Sequence, residues 1–315
     1  MSSTIIVRYA FKSRSRFSGG VGGPGRGKKW EYWVLMMVAR TWHRLIKTRQ
    51  EDGADRQELY ELWRKLSQLL AENIEDQNNE TQQMLLTAFE NALDLADNIP
   101  SEDHQVLYRN FIQCLSKFPH ETTKLKKACE EMIAIYPTVQ YPLEVICLYL
   151  IDSGSLTSEG HQYCCKLVEM NSKSGPGLIG LGIIALQDKK YEDAVRHLTE
   201  ALKTIDNFGA SGGNLHQKNL CLRLKAEALL KLSDGASSEE AVRTLDQVSD
   251  VDNTPGLLVL QGLACLNTGA VDKATKIMED LVTSYPDLAE AHALEGRVHF
   301  TKKDYVQAEE FPKST

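Results

Sequence analysis

Nucleotide chemistry is the first possibility raised by residue types and spacing in this sequence. Gly20, Gly22 and Gly25 fit G-x-G-x-x-G, and Gly22, Gly27 and Lys28 fit the first part of a phosphate-binding P-loop. A P-loop next needs Ser or Thr to ligate magnesium, and it sits between a strand and a helix. Here Lys29 follows, and the preceding SRSRFS is a poor buried strand. Gly175, Gly177 and Gly180 give a second G-x-G-x-x-G. It lies where a helix is expected to begin, with no strand before it, so close helix packing explains it. His161, Cys164 and Cys165 stand at helical spacing and could face one way, but a structural zinc site needs four ligands in matched pairs. The sequence has no Cys-x-x-Cys to supply the rest, so a buried apolar Cys beside a surface His is the simpler expectation. No nucleophile elbow, H-E-x-x-H or kinase signature set appears. The acidic pairs Glu130–Glu131 and Glu239–Glu240 read as solvated helix faces or helix starts. The expectation is a chain that is not an enzyme and uses no metal or cofactor.

The elements that carry these residues are helical. From about residue 38 onward, apolar residues recur three and four apart. One stripe is Leu59, Leu62, Trp63, Leu66, Leu69 and Leu70; the next is Met84, Leu85, Ala88, Phe89, Ala92, Leu93 and Leu95. Ser101 is placed to cap a helix whose core side is Val106, Leu107, Phe111 and Leu115. Helices are expected over 122–136, stopped by Pro137, and over 141–151 and 158–170. No convincing alternating strand is present. The joining segments are short, which favours antiparallel neighbours.

Internal repeats fix the architecture. GLIGLGIIALQDKKYEDAVRHLTEAL (177–202), GLLVLQGLACLNTGAVDKATKIMEDL (256–281) and AEAHALEGRVHFTKKDYVQAEEF (289–311) align without adjustment. In each, a glycine precedes an alanine by twelve residues: Gly182 and Ala194, Gly262 and Ala274, Gly296 and Ala308. Tyr191, Val271 and Tyr305 stand three before the alanines, Pro286 closes the second unit, and the second and third units are 34 residues apart. A looser unit between them has Ala226 and Ala241 in these roles. This is the tetratricopeptide repeat (TPR) pattern. Its steric logic puts the small residues where the two helices of a hairpin cross. A single hairpin leaves an apolar face open, so the units stack. The fold class expected is all-α, a TPR helical-hairpin solenoid. Its domains are a disordered basic segment over 1–37, degenerate TPR-like pairs over 38–172, and TPR repeats over 173–311 with the last one truncated.

Charge and composition narrow the function classes. The 315 residues are 42% hydrophobic and 25% charged, near the values of an ordinary globular protein. The longest apolar run, 34–39, is far short of a membrane span of about 20 residues. The seven cysteines are odd in number and unpaired in motif, which fits a reducing intracellular compartment. The net charge of −7 is uneven: residues 1–29 carry seven bases and no acid, leaving 29 bases against 43 acids in the remainder. An acidic body is a poor phosphate-binding surface, so no direct nucleic-acid partner is expected. Residues 18–29, SGGVGGPGRGKK, hold six glycines and a proline, too many for a regular helix. The acid-free Arg- and Ser-rich start also resembles a transit peptide. Trp30, Tyr32 and Trp33 read as loop or first-helix residues, not as a stacking platform for bases. A carboxylate-binding TPR clamp would place Lys, Asn and Arg on the inner face of the first helices. The corresponding positions here are Ile179, Ile183, Val259 and Leu263, all apolar. They are the candidate partner-binding residues, suited to covering an apolar partner segment.

Several long non-repeat stretches go further. ARTWHRLIKTRQEDGADRQELYELWRKL (39–66), IEDQNNETQQMLLTAFENAL (74–93), IPSEDHQVLYRNFIQCLSKFPHE (99–121), IYPTVQYPLEV (135–145) and NSKSGPGLIGLGIIALQDKKY (171–191) closely resemble the N-terminal region of the large tetratricopeptide subunit of the superkiller (Ski) complex. The resemblance runs over roughly 38–310 and fails over 1–37. It implies a non-catalytic scaffold holding an RNA helicase and a WD-repeat subunit, with the RNA exosome as an indirect partner in cytoplasmic 3′-to-5′ messenger decay. The implied location is the cytoplasm, with the nucleus second. Members of that family are several-fold longer, so a fragment or short isoform is expected. The family also has one more repeat where this chain runs from EALK (200–203) straight into TIDNFG (204–209). The competing expectation is an independent TPR adaptor unrelated to RNA decay, differently targeted by its basic start.

Overall fold

The computed structural model describes residues 26–73, 79–96, 101–207, 212–232, 234–248 and 254–302. Among them every regular element is an α-helix. They are α1 (Arg26–Glu51), α2 (Arg56–Asn73), α3 (Asn79–Leu95), α4 (Glu102–Leu115), α5 (Thr122–Ile135), α6 (Tyr141–Asp152), α7 (Ser158–Met170), α8 (Gly175–Gln187), α9 (Tyr191–Asn207), α10 (Gly212–Leu232), α11 (Gly235–Leu245), α12 (Pro255–Asn267), α13 (Val271–Ser284) and α14 (Ala289–Thr301). The helical TPR-type fold read from the sequence is the one observed. The chain divides by internal contacts into two compact units, 1–142 and 143–315, with the break at the start of α6. The boundary at 37 lies inside α1, which begins at Arg26, after all but one of the glycines of 18–29.

Local chemistry sets many of the helix ends. The Ser101 hydroxyl accepts from the His104 backbone N–H at 3.2 Å and starts α4. Ser174 accepts from Gly177 N–H at 3.4 Å, and Pro176 in the first turn of α8 costs no hydrogen bond there. Asp234 takes both the backbone N–H and the hydroxyl of Ser237, at 2.7 and 2.6 Å, opening α11. Hydrogen bonding to the Ser237 side chain and backbone holds the Asp234 carboxyl below its ordinary range. Pro137 and Pro286 follow the last turns of α5 and α13, where a further backbone N–H is not available to extend the helix.

In the first unit, successive helices α1 to α5 pack pairwise. Their core holds Trp63, Leu66 and Leu70 of α2, Leu85 and Phe89 of α3, and Phe111 and Ile112 of α4. The Phe89 and Phe111 rings lie 5.4 Å apart. The Arg56 guanidinium bridges α2 to the end of α3 through the carbonyls of Leu95 (2.9 Å) and Asp94 (3.2 Å). Where α4 starts and α5 ends, the Tyr136 hydroxyl lies 3.1 Å from the Ser101 carbonyl and 3.0 Å from His104 Nδ1. The one phenolic proton goes to the carbonyl, so His104 Nδ1–H donates to Tyr136. Burial pushes the His104 pKa down.

In the second unit the repeats are explicit. From α7 to α14 each helix packs on the next, and α8 also packs on α10, α10 on α12 and α12 on α14. The first helices of successive hairpins therefore lie side by side. The looser unit seen in the sequence is α10 and α11: Ala226 and Ala241 are both fully buried in a cluster with Leu222, Leu229, Leu245 and Leu257.

Candidate partner-binding surface

Glycine and alanine positions carry the repeat geometry. A Cβ on Gly182 would stand 2.6 Å from Leu198 Cγ, so the bare backbone of α8 is what lets Leu198 of α9 seat. Ala194 of α9 is fully buried beside Ala185 of α8 and Ala228 of α10, a three-helix junction closed by small residues. The second repeat departs from the expected arrangement. A Cβ on Gly262 would meet Leu294 Cδ2 at 2.5 Å, and Leu294 belongs to α14, the first helix of the next hairpin. Gly262 thus admits a contact between repeats, while Ala274 is buried among Met278, Leu281, Ala291, Leu294 and Val298. Gly296 is half-buried on α14. Ala308 lies outside the described residues.

The same principle accounts for Gly177 and Gly180. A side chain at Gly177 would strike Val168 Cγ2 at 2.8 Å, and one at Gly180 would collide with the Cys164 sulfur. Both are notches on α8 for α7. His161, Cys164 and Cys165 do not share a face: His161 is exposed, Cys164 is buried and Cys165 is half-buried. Three of the four residues of the acidic pairs face basic neighbours. Glu130 and Glu131 stand 3.6 Å from Lys126 and Lys127, and Glu240 lies 2.7 Å from Lys225.

Of the four candidate partner residues, Ile179 is corrected by the structure. It is fully buried, with Ile151, Leu178, Leu198, Ala201, Ile205 and Cys221 around it. No partner reaches it while the repeat is folded. The cause is that α8 is covered by α7, α9 and α10 together. Ile183, one turn on, packs on the edge of that cluster and is half-buried. Val259 and Leu263 are half-buried on α12; Val259 borders the Ala274 cluster, and Leu263 borders both that cluster and the Ala226 one. These three keep part of their surface and serve the core with the rest. The exposed apolar residues are others: Phe300 is 64% exposed, and Val106, Met37, Leu215, Leu45 and Tyr285 also face solvent. Among the described residues, no helix is long and apolar enough to cross a membrane.

With this geometry in place, known proteins can be set beside the chain. No protein-family model matches it. Superkiller complex protein 3 of Mus musculus is 89% identical over 306 residues, an alignment covering 86% of this chain and 20% of the mouse protein. The chain is a relative of superkiller complex protein 3. The Homo sapiens superkiller complex protein 3 is 68% identical over 306 residues, with the same shares covered. Tetratricopeptide repeat protein 37 of Xenopus laevis is 41% identical over 308 residues, again 86% of this chain and 20% of the relative. The chain thus spans about a fifth of the length of these relatives. The extent agrees with the resemblance over 38–310. The mouse alignment is also longer than the part of this chain that it covers. Since 86% of 315 residues is about 271, the 306 aligned positions of the mouse superkiller complex protein 3 include roughly 35 without a counterpart here, close to the 34-residue TPR period.

Proposed function

We propose that this chain is part of the scaffold of a superkiller complex: a non-catalytic TPR arm that holds an RNA helicase and a WD-repeat subunit. Through them it serves the cytoplasmic exosome in 3′-to-5′ messenger decay, with the nucleus as a second location. The observation that carries this proposal is the 89% identity to a superkiller complex subunit across 86% of the chain. The geometry agrees with a binding role. Small residues are spent on helix crossings, and the glycine motifs that suggested phosphate chemistry at 175–180 are packing notches. The surface available to a partner on the first helices is the open side of Ile183, Val259 and Leu263.

Immunoprecipitation of the tagged chain from cytosol, beside a full-length subunit, tests the proposal. Recovery of the helicase and the WD-repeat subunit supports it. Failure to recover either, where the full-length subunit recovers both, refutes it for this chain. An Ile183→Ser/Leu263→Ser variant that melts like the parent is expected to capture less helicase.

A further inference from the structure

Cys147 of α6 and Cys164 of α7 are both fully buried, and their sulfurs lie 3.6 Å apart, within hydrogen-bonding range. The third wall of this site is Gly180 of α8, where even a Cβ would collide with the Cys164 sulfur. Cys164 is therefore seated against bare backbone on one side and against Cys147 on the other. The hairpin carrying the pair is closed by a turn in which Gly154 takes a left-handed φ of 63°, and its helices meet again where Leu150 and Leu156 pack against Gly160. We propose that Cys147 and Cys164 form a modification site, oxidised by a peroxide to a disulfide that staples α6 to α7.

The chemistry balances with hydrogen peroxide as oxidant. The Cys164 thiolate attacks one peroxide oxygen, the O–O bond breaks, and the departing hydroxide takes up a proton to become water. Cys164 is then a sulfenic acid. Cys147, losing its proton, attacks the Cys164 sulfur; the S–S bond forms, the S–O bond breaks, and a second water leaves. Two thiols are oxidised by one electron each, and one peroxide is reduced by two. The order of events follows from the shared hydrogen bond. Bonding to Cys164, with burial, pushes the Cys147 thiol up, and the same bond pulls Cys164 down. Bond formation closes the sulfurs from 3.6 Å to about 2.05 Å, a shift divided between side-chain rotation and a small approach of two helices. Because both thiols are buried, peroxide enters during local opening of the hairpin. The half-buried Cys165, next in sequence, supplies an internal standard for ordinary surface oxidation.

The test uses the full chain in native buffer. Reduced protein is treated with hydrogen peroxide, remaining thiols are blocked with an alkylating agent, and unreduced peptides are mapped by mass spectrometry. The expected product joins the Cys147 and Cys164 peptides with the loss of two hydrogens, and a thiol reductant reverses it. The melting temperature of the oxidised chain is expected to rise by on the order of 5–10 °C, and a Cys147→Ser variant is expected to show neither linkage nor rise. Oxidation confined to Cys165, with Cys147 and Cys164 both recovered alkylated after unfolding, overturns the proposal. A linkage pairing either thiol with another cysteine overturns it as well. The peptide map of the parent decides the matter even where Cys147→Ser does not fold.

Discussion

Substituting alanine for glycine has different consequences at two positions of this fold. At Gly182 the new Cβ would stand 2.6 Å from Leu198 Cγ, 2.8 Å from its Cδ2 and 3.3 Å from its Cδ1. The branch point of the leucine is in the way, so rotating a terminal methyl does not clear it. Leu198 has nowhere to go, being fully buried against Leu178, Ile179 and Ala201. Overpacking of this kind costs about 1–3 kcal/mol, while replacing a mid-helix glycine returns about 1 kcal/mol of backbone entropy. The net expectation for Gly182→Ala is a loss of about 1 kcal/mol. At Gly256, in the first turn of α12, the nearest atom to a new Cβ is Arg223 Nη2 at 3.9 Å, an ordinary contact. Gly256→Ala is expected to be neutral or to gain up to about 1 kcal/mol. Urea unfolding followed by far-UV circular dichroism on both variants and the parent gives the comparison. A double-mutant cycle with Leu198→Ala then locates the clash, because the methyl added by Gly182→Ala sits over part of the cavity that Leu198→Ala opens, making the pair less costly than the sum. A Gly182→Ala protein at or above the stability of the parent would refute the assignment of Gly182 as the seat of Leu198.

The other expectations follow from burial. Ala274→Arg is expected to cost on the order of 2–4 kcal/mol, since it forces a charge and a long side chain into the Met278, Leu281 and Leu294 cluster; an unchanged urea midpoint would contradict it. Ile179→Glu is expected to lower the melting temperature sharply, whereas Ile183→Ser at the half-buried edge of the same cluster lowers it much less, and the two melting curves check that contrast. His104 supplies a pH dependence: its folded-state pKa is lowered by burial, so the unfolded chain binds more protons once the pH falls below the ordinary histidine value of about 6.5. Its contribution is present above that pH and lost progressively below it, and His104→Gln is expected to flatten this part of a urea-midpoint profile.

Much of the fold was legible in the sequence, and the parts that were not have physical causes. The period of Gly182, Gly262 and Gly296 located the repeat hairpins, and Ser101 and Pro137 marked helix ends, because these features act within one or two turns of chain. The partner of each glycine was not legible. Gly182 faces its own hairpin and Gly262 faces the next one, and an identical residue at an identical register serves both. The fate of Ile179 was hidden for a related reason. Inner-face position on an isolated hairpin is a local property, but coverage by α10 comes from a helix that begins 33 residues later. The break at 142 separates units by contact density, which no change of composition marks, since helices on both sides have the same alternation of buried and exposed residues.

The roughly 35 aligned positions of superkiller complex protein 3 without a counterpart here come close to one TPR period. The resemblance places the missing repeat after Lys203, where EALK meets TIDNFG, and α9 runs through this point without interruption as far as Asn207. On its two sides, Ala201 and Ile205 enter the same core with Leu198 and Cys221, and Asp206 pairs with Lys218 of α10 at 2.6 Å. Removing a whole period joins the second helix of one hairpin to the second helix of the next in phase, so apolar residues still meet the core on both sides of the join. A deletion one or two residues longer or shorter would rotate the tail of α9 by about 100° for each residue of mismatch and turn Ile205 away from this core. In a stack built from neighbour contacts, a whole unit can be lost while each remaining interface is kept.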